Sequence, residues 1–219
     1  MEKLAWYFTY KVPMEQSSKE LIWSITILVF VFPKESDNSV VMLTAQLTKP
    51  LKALTVCLHV YTDLTHDYSL FSYGKTVVYS VSVSGADVFF KPPESSAPMH
   101  FCVTWESTSG ITELWVDGKP MVRRSMKREY SLGTEASIVL GQEQDAFAGG
   151  FDKNQPLVGD IGDVNMWDYV LSPEEISTVY AGGTFSPNVL DWWALKYKTH
   201  VFTKPQLPSW GYDPWPWGW

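Results

Sequence analysis

Between Gly141 and Gln155 the chain sets three carboxylates, Glu143, Asp145 and Asp152, among the amides of Gln142, Gln144, Asn154 and Gln155, on a glycine-containing backbone. These are hard oxygen donors. Calcium takes about six to eight of them, from carboxylates, amide side chains and main-chain carbonyls. The spacing is not that of an EF-hand, and an ordinary polar loop is the competing reading. No Gly-x-Ser-x-Gly elbow, no His-Glu-x-x-His pair and no nucleophile beside a base is visible, so an enzyme is not expected. His59, His66, His100 and His200 show no ligand spacing, and no CxxC pair or Cys/His cluster suits zinc. His100, beside a core strand, reads as a hydrogen-bonded structural histidine.

The elements that must carry this loop are strands. His100 to Ser107 alternates, with Val103 and Trp105 on one face and Cys102 and Thr104 on the other, which predicts a half-buried strand. Asp117-Gly118 then predicts a type I′ hairpin, because that turn needs positive φ at both central residues. Further strands are expected at Val29–Phe32, Val40–Ala45, Ala53–Tyr61, Ser137–Gly141 and Gly162–Trp167, with turn residues between. Tyr79, Val81 and Val83 alternate with serines, as a strand with one dry and one wet face. One helix interrupts the series. Ser172-Pro173-Glu174-Glu175 is a capping box with proline at the first helical position. Ile176, Val179 and Tyr180 follow as an apolar stripe, and Gly182 stops it.

The chain has 219 residues, 45% of them apolar, and a net charge of −7. That supports one all-β sandwich and argues against disorder. Arg123-Arg124-Ser125-Met126-Lys127-Arg128 reads as a solvated loop face, so nucleic acid is not expected. Cys57 and Cys102 lie 45 positions apart. They are either two buried thiols or, in a secreted protein, a disulfide between core strands. Met1 to Phe8 starts like a secretory signal, but Thr9–Pro13 breaks it. The run Leu21–Phe32 is a displaced signal core or the entry to the first strand, and is too short to span a bilayer. The last residues, with Trp210, Trp215, Trp217 and Trp219 among prolines and glycines, read as an irregular exposed tail.

His100, Cys102, Thr104, Trp105 and Ser107 match the pentraxin signature His-x-Cys-x-Ser/Thr-Trp-x-Ser. From about Val29 to Leu207 the chain resembles the short pentraxins, with Val31–Ser36, Leu157–Trp167 and Phe202–Leu207 adding to the likeness. The resemblance implies an all-β fold: a two-sheet antiparallel jelly roll, a lectin-like sandwich with one helix. It divides the chain into an atypical N-terminal segment (1–28, a disrupted signal peptide), a pentraxin domain (29–207) and a tail (208–219). It also implies a Cys57–Cys102 disulfide, a homopentamer, secretion and a part in innate, acute-phase immunity.

The resemblance further implies two adjacent Ca2+ ions on one face, binding phosphocholine or related phosphate and sugar ligands. Glu143, Asp145, Asp152 and Gln155 would give side-chain oxygens, and Gln144 a main-chain carbonyl. Asp152 stands where the family has glutamate. Asp87, also one methylene shorter than the family's glutamate, would hold the choline ammonium, and Ser82 stands at a pocket threonine. On the opposite face a complement recognition component would meet Glu94, Asp117 and Tyr180, although Asp117 also has a full explanation as a turn residue.

The main departure lies between Tyr73 and Tyr79, where only Gly74-Lys75-Thr76-Val77-Val78 stand. The family has about a strand and a turn more. The missing piece carries an aspartate–asparagine pair for one calcium and an apolar choline-pocket residue. The expectation is therefore one calcium site largely intact, the other crippled, and weakened choline binding. The alternative is a structural variant that folds but has lost most ligand binding.

Overall fold

The structure is a computed structural model. It describes residues 27–206 apart from 37, 46, 65–67, 74–75, 78–79, 84–85, 90–96, 135–136, 143–156 and 184. Both chain ends, including the tryptophan-rich tail, lie outside the described residues.

The strands in chain order are β1 (Ile27–Phe32), β2 (Val41–Leu43), β3 (Ala53–Tyr61), β4 (Phe71–Tyr73) and β5 (Thr76–Val77). Next come β6 (Ser80–Val83), β7 (Ala86–Phe89), β8 (Met99–Glu106), β9 (Ile111–Val116) and β10 (Lys119–Pro120). The last are β11 (Arg124–Ser125), β12 (Ile138–Leu140), β13 (Gly159–Trp167), β14 (Tyr197–Thr199) and β15 (Phe202–Gln206). Helix α1 spans Pro173–Tyr180, and Trp192–Ala194 forms one 3-10 turn. An eight-stranded antiparallel sheet runs β10-β9-β8-β3-β13-β1-β15, with β11 also on β9. A five-stranded sheet runs β14-β2-β12-β4-β5. This is the expected two-sheet sandwich with its helix.

Phe30, Leu58, Val103, Trp105, Ile138, Leu140 and Ile161 belong to one large buried cluster, the main core. A second cluster joins Cys57, Cys102, Trp115 and Trp167 to Leu171, Ile176 and Val179 at the helix. That second cluster corrects the expectation for β8. The strand is buried from Met99 to Trp105 on both faces, not half-buried, because α1 packs against the side that carries Cys102.

The helix starts as its sequence predicts. Ser172 Oγ accepts from Glu175 N at 3.2 Å, and Ser172 N donates to Glu175 Oε2 at 2.7 Å. Gly182, at φ 79°, closes its far end by donating to Val179 O. Its buried residues are Ile176 and Val179; Tyr180 is 46% exposed, so it leaves the apolar stripe. The basic run is mostly a surface connection. Arg123 pairs with Glu113 and Arg128 donates to Thr108 O, but Met126 turns inward to the core.

Candidate functional site

The oxygen-rich loop hangs from the five-stranded sheet at the end of β12. Its roots are clamped: Leu157 N donates to Gly141 O at 3.0 Å, and Gly141 N donates to Leu70 O at 3.2 Å. Gly141 sits at φ 82°, and a Cβ there would lie 2.2 Å from Phe32 Cε1. Only glycine meets both conditions without strain. Gln142 is fully buried, and its amide donates to Ser36 O at 2.7 Å, tying the loop to the β1–β2 connection. Its Oε1 is a buried acceptor with no hydrogen-bond partner.

Glu143, Gln144, Asp145, Asp152 and Gln155 lie outside the described residues. The segment's sequence holds three carboxylates and several amides, the oxygen types calcium takes, between roots held a hydrogen bond apart. It falls short of two fully coordinated ions without further ligands.

The two expected ligand residues stand opposite one another. In the β6–β7 hairpin, Ser82 pairs with Asp87 in register. Among the described residues this hairpin is a two-stranded sheet of its own, hydrogen-bonded to neither larger sheet. It follows β5, a strand of two residues on β4.

A different set of residues meets at the other sheet. Asp117 (φ 49°) and Gly118 (φ 70°) form the expected hairpin turn with both residues left-handed. His100 N donates to Asp117 Oδ1 at 2.8 Å, and Asp117 N donates to His100 O at 2.9 Å. A Cβ on Gly118 would lie 2.9 Å from Tyr180 Cδ1, and the Tyr180 ring lies 5.6 Å from that of His100. Asp117 and Tyr180 are therefore neighbours. Glu94 lies outside the described residues.

Below that patch the chain buries polar chemistry. Cys57 and Cys102 form a disulfide. His100 Nε2 lies 3.8 Å from Cys102 Sγ, and the His59 ring is 4.7 Å from that of His100. His59 Nδ1 faces Asp163 Oδ2 at 3.5 Å. Asp163 occupies a bulge in β13 at φ 52°, and Asn165 Nδ2 donates to its Oδ1 at 2.8 Å. Burial raises the Asp163 carboxyl, but the His59 and Asn165 hydrogen bonds and His59's charge outweigh it and hold the group below its usual range. Burial, then the charge of His59, lowers His100 to about 3, with Asp163 opposing. His100 is structural, as expected: its main chain clasps Asp117 and its Nε2 lies against Cys102 Sγ, while its buried Nδ1 has no hydrogen-bond partner. Sequence spacing missed this Cys/His grouping, because only the β3–β8 register brings it together.

Comparison with known proteins agrees with this architecture. The family model described as Pentaxin family matches residues 28–205. C-reactive protein of Sus scrofa is 76% identical over 193 residues, covering 81% of this chain and 87% of that protein. C-reactive protein of Homo sapiens is 60% identical over 196 residues, covering 81% and 88%. A native heptameric SAP-like pentraxin from Limulus polyphemus superposes with TM-score 0.66 at 19% identity, covering 82% of this chain and 94% of that one.

Proposed function

The chain belongs to the Pentaxin family, and from that premise we propose that it is a secreted calcium-dependent recognition protein for phosphocholine and related phosphate or carbohydrate ligands. It recruits complement through a second surface, and it is not an enzyme. The observation that carries this reading is the clamped loop. Gly141 and Leu157 hold the ends of a segment in which Glu143, Gln144, Asp145, Asp152 and Gln155 are the oxygen donors.

Calcium bound there supplies uncancelled positive charge for a phosphate oxygen. The chain's own residues do the rest. Asp87 offers a carboxylate to a quaternary ammonium, and Ser82 stands opposite it in register. Asp117 and Tyr180, and by resemblance Glu94, form the complement-facing patch. Assembly as a homopentamer belongs to the same reading. No helix among the described residues is long and apolar enough to cross a membrane.

Retention on phosphocholine resin in calcium, with release by chelator, tests the proposal. A protein that flows through in calcium yet remains folded favours the second reading, a variant that keeps the fold and has lost one calcium site with most ligand binding. The separated β6–β7 hairpin and the two-residue β5 support that alternative.

A further inference from the structure

Asp117-Gly118 is the only Asp-Gly pair in the chain, and the chain has no Asn-Gly. In such a pair the glycine carries no Cβ to shield its main-chain nitrogen, which can attack the preceding carboxyl. The two residues make the turn between β9 and β10, with Val116 facing Lys119, and both are half-buried. Gly118 N has no hydrogen-bond acceptor among the described residues. The nucleophile is thus uncommitted, and what keeps it from the carboxyl is the shape of the turn. At φ 49° Asp117 is left-handed, a region where ψ is about +47°. That places Gly118 N on the far side of the Cα–C bond from Cβ, whereas closing a five-membered ring needs both on the same side. The clasp to His100 fixes this arrangement twice, through Oδ1 at 2.8 Å and Asp117 N at 2.9 Å. The Tyr180 ring backs Gly118 from the helix.

We propose that Asp117-Gly118 is a gated isoaspartate site: the folded turn holds the bond unreactive, and opening of the turn lets it isomerise and dismantle the Asp117–Tyr180 patch. On opening, Gly118 N bonds to Asp117 Cγ. The amide proton and the carboxyl hydroxyl leave together as water, giving a succinimide. Water then adds to one of the two ring carbonyls. Breaking the N–Cγ bond regenerates aspartate. Breaking the other N–C bond leaves the main chain running through Cβ and Cγ, as isoaspartate. Water is the only co-reactant, and the composition of the chain is unchanged. The product does not fit the turn. Two residues leave no slack for an extra main-chain atom, and the carboxyl oxygen is drawn away from His100 N. Tyr180 leaves no room beside Gly118, where even a Cβ would lie 2.9 Å from Cδ1. The consequence for complement rests on the proposed function; the chemistry does not.

The test ages the full chain with calcium in heavy-oxygen water, at neutral pH and body temperature, either folded or unfolded in urea. Succinimide hydrolysis writes one heavy oxygen into Asp117 even where aspartate is regenerated, and peptide mapping reads label and isoaspartate together. In urea, Asp117 should label ahead of every other aspartate. In the folded chain its labelling should be at least about tenfold slower, because local opening sets the rate. Tyr180→Ala should speed labelling of the folded chain severalfold while unfolding stays cooperative. Chain isomerised in urea and refolded should keep its disulfide and far-ultraviolet dichroism yet capture complement several-fold less. Repair by an isoaspartyl methyltransferase should restore capture. No preference for Asp117 in urea overturns the site. Equal rates folded and unfolded, or a Tyr180→Ala chain that labels no faster than the parent, overturn the gate. Undiminished capture by the isomerised chain overturns the loss of the patch, and the complement role of Asp117 with it, whatever the labelling shows.

Discussion

Asp117 and His100 clasp each other across the turn that follows β9: His100 N donates to Asp117 Oδ1 at 2.8 Å, and Asp117 N donates to His100 O at 2.9 Å. One carboxylate oxygen is thereby committed to the fold. The clasp needs an acceptor at Oδ1, whereas a partner molecule would read the charge, so the two roles of Asp117 separate in a single pair of variants.

Asp117→Asn keeps the acceptor and tolerates positive φ, as asparagine often does. Its stability should stay within about 0.5 kcal/mol of the parent. Asp117→Ala loses the clasp and places a Cβ residue without local compensation at φ 49°, for a loss of about 2 kcal/mol. Urea titration measures both. In a complement-capture assay Asp117→Asn should fall several-fold while folding is intact. Full capture by that variant would reduce Asp117 to a turn residue.

His100 makes stability depend on pH. Burial lowers its pKa from 6.5 to about 3 in the folded chain. Between those values the unfolded chain binds a proton that the folded chain refuses, so this contribution is complete above pH 6.5 and declines as pH falls toward 3. The loss should reach a few kcal/mol, because the proton would be buried between the helix and the disulfide. Urea midpoints at pH 7, 5.5 and 4.5 measure it. His100→Gln should flatten the slope whatever its starting stability; an unchanged slope would assign the acid sensitivity elsewhere.

Much of this fold could be read from local signals. The bounds of β3, the capping box of α1 and the Asp117-Gly118 turn each follow from a few neighbouring residues. What failed was knowledge of what covers a face. Alternation allows one wet face to β8, yet both faces are buried, because α1, about seventy residues later, packs in one cluster with Cys102. Tyr180 looks like a core residue by helical spacing, yet the helix presents it to solvent beside Gly118. The C-x-H and H-x-C pairs are unremarkable until the β3–β8 register places them together. The oxygen-rich loop was legible in composition. Its clamp was not, since Gly141, Leu70 and Leu157 meet only in the folded sheet.

Gly141 should not tolerate a side chain. Alanine there meets Phe32 at 2.2 Å and keeps a positive φ of 82°. Strain and overpacking together should cost about 2–4 kcal/mol. Gly133→Ala, where a Cβ meets nothing within 4 Å, is the control and should stay near neutral. Thermal unfolding compares them. Calcium affinity of Gly141→Ala, measured at a temperature where it is folded, should fall with the clamp. Unchanged affinity would detach the loop root from the ion.

Calcium stoichiometry tests the shortened connection. On the proposed reading, Glu143, Asp145, Asp152, Gln155 and the Gln144 carbonyl would together hold one ion. A second adjacent ion has to borrow from the same carboxylates, and the five residues between Tyr73 and Tyr79 hold no carboxylate to add. Calorimetry should therefore find one tight site per chain and a second at least tenfold weaker or not measurable. Asp152→Glu restores one methylene of reach and should tighten the better site severalfold, because a longer carboxylate approaches calcium without dragging the main chain. Two equally tight sites in the parent would show that a carboxylate from elsewhere replaces the missing pair, and the inference of weakened choline binding would fall with it.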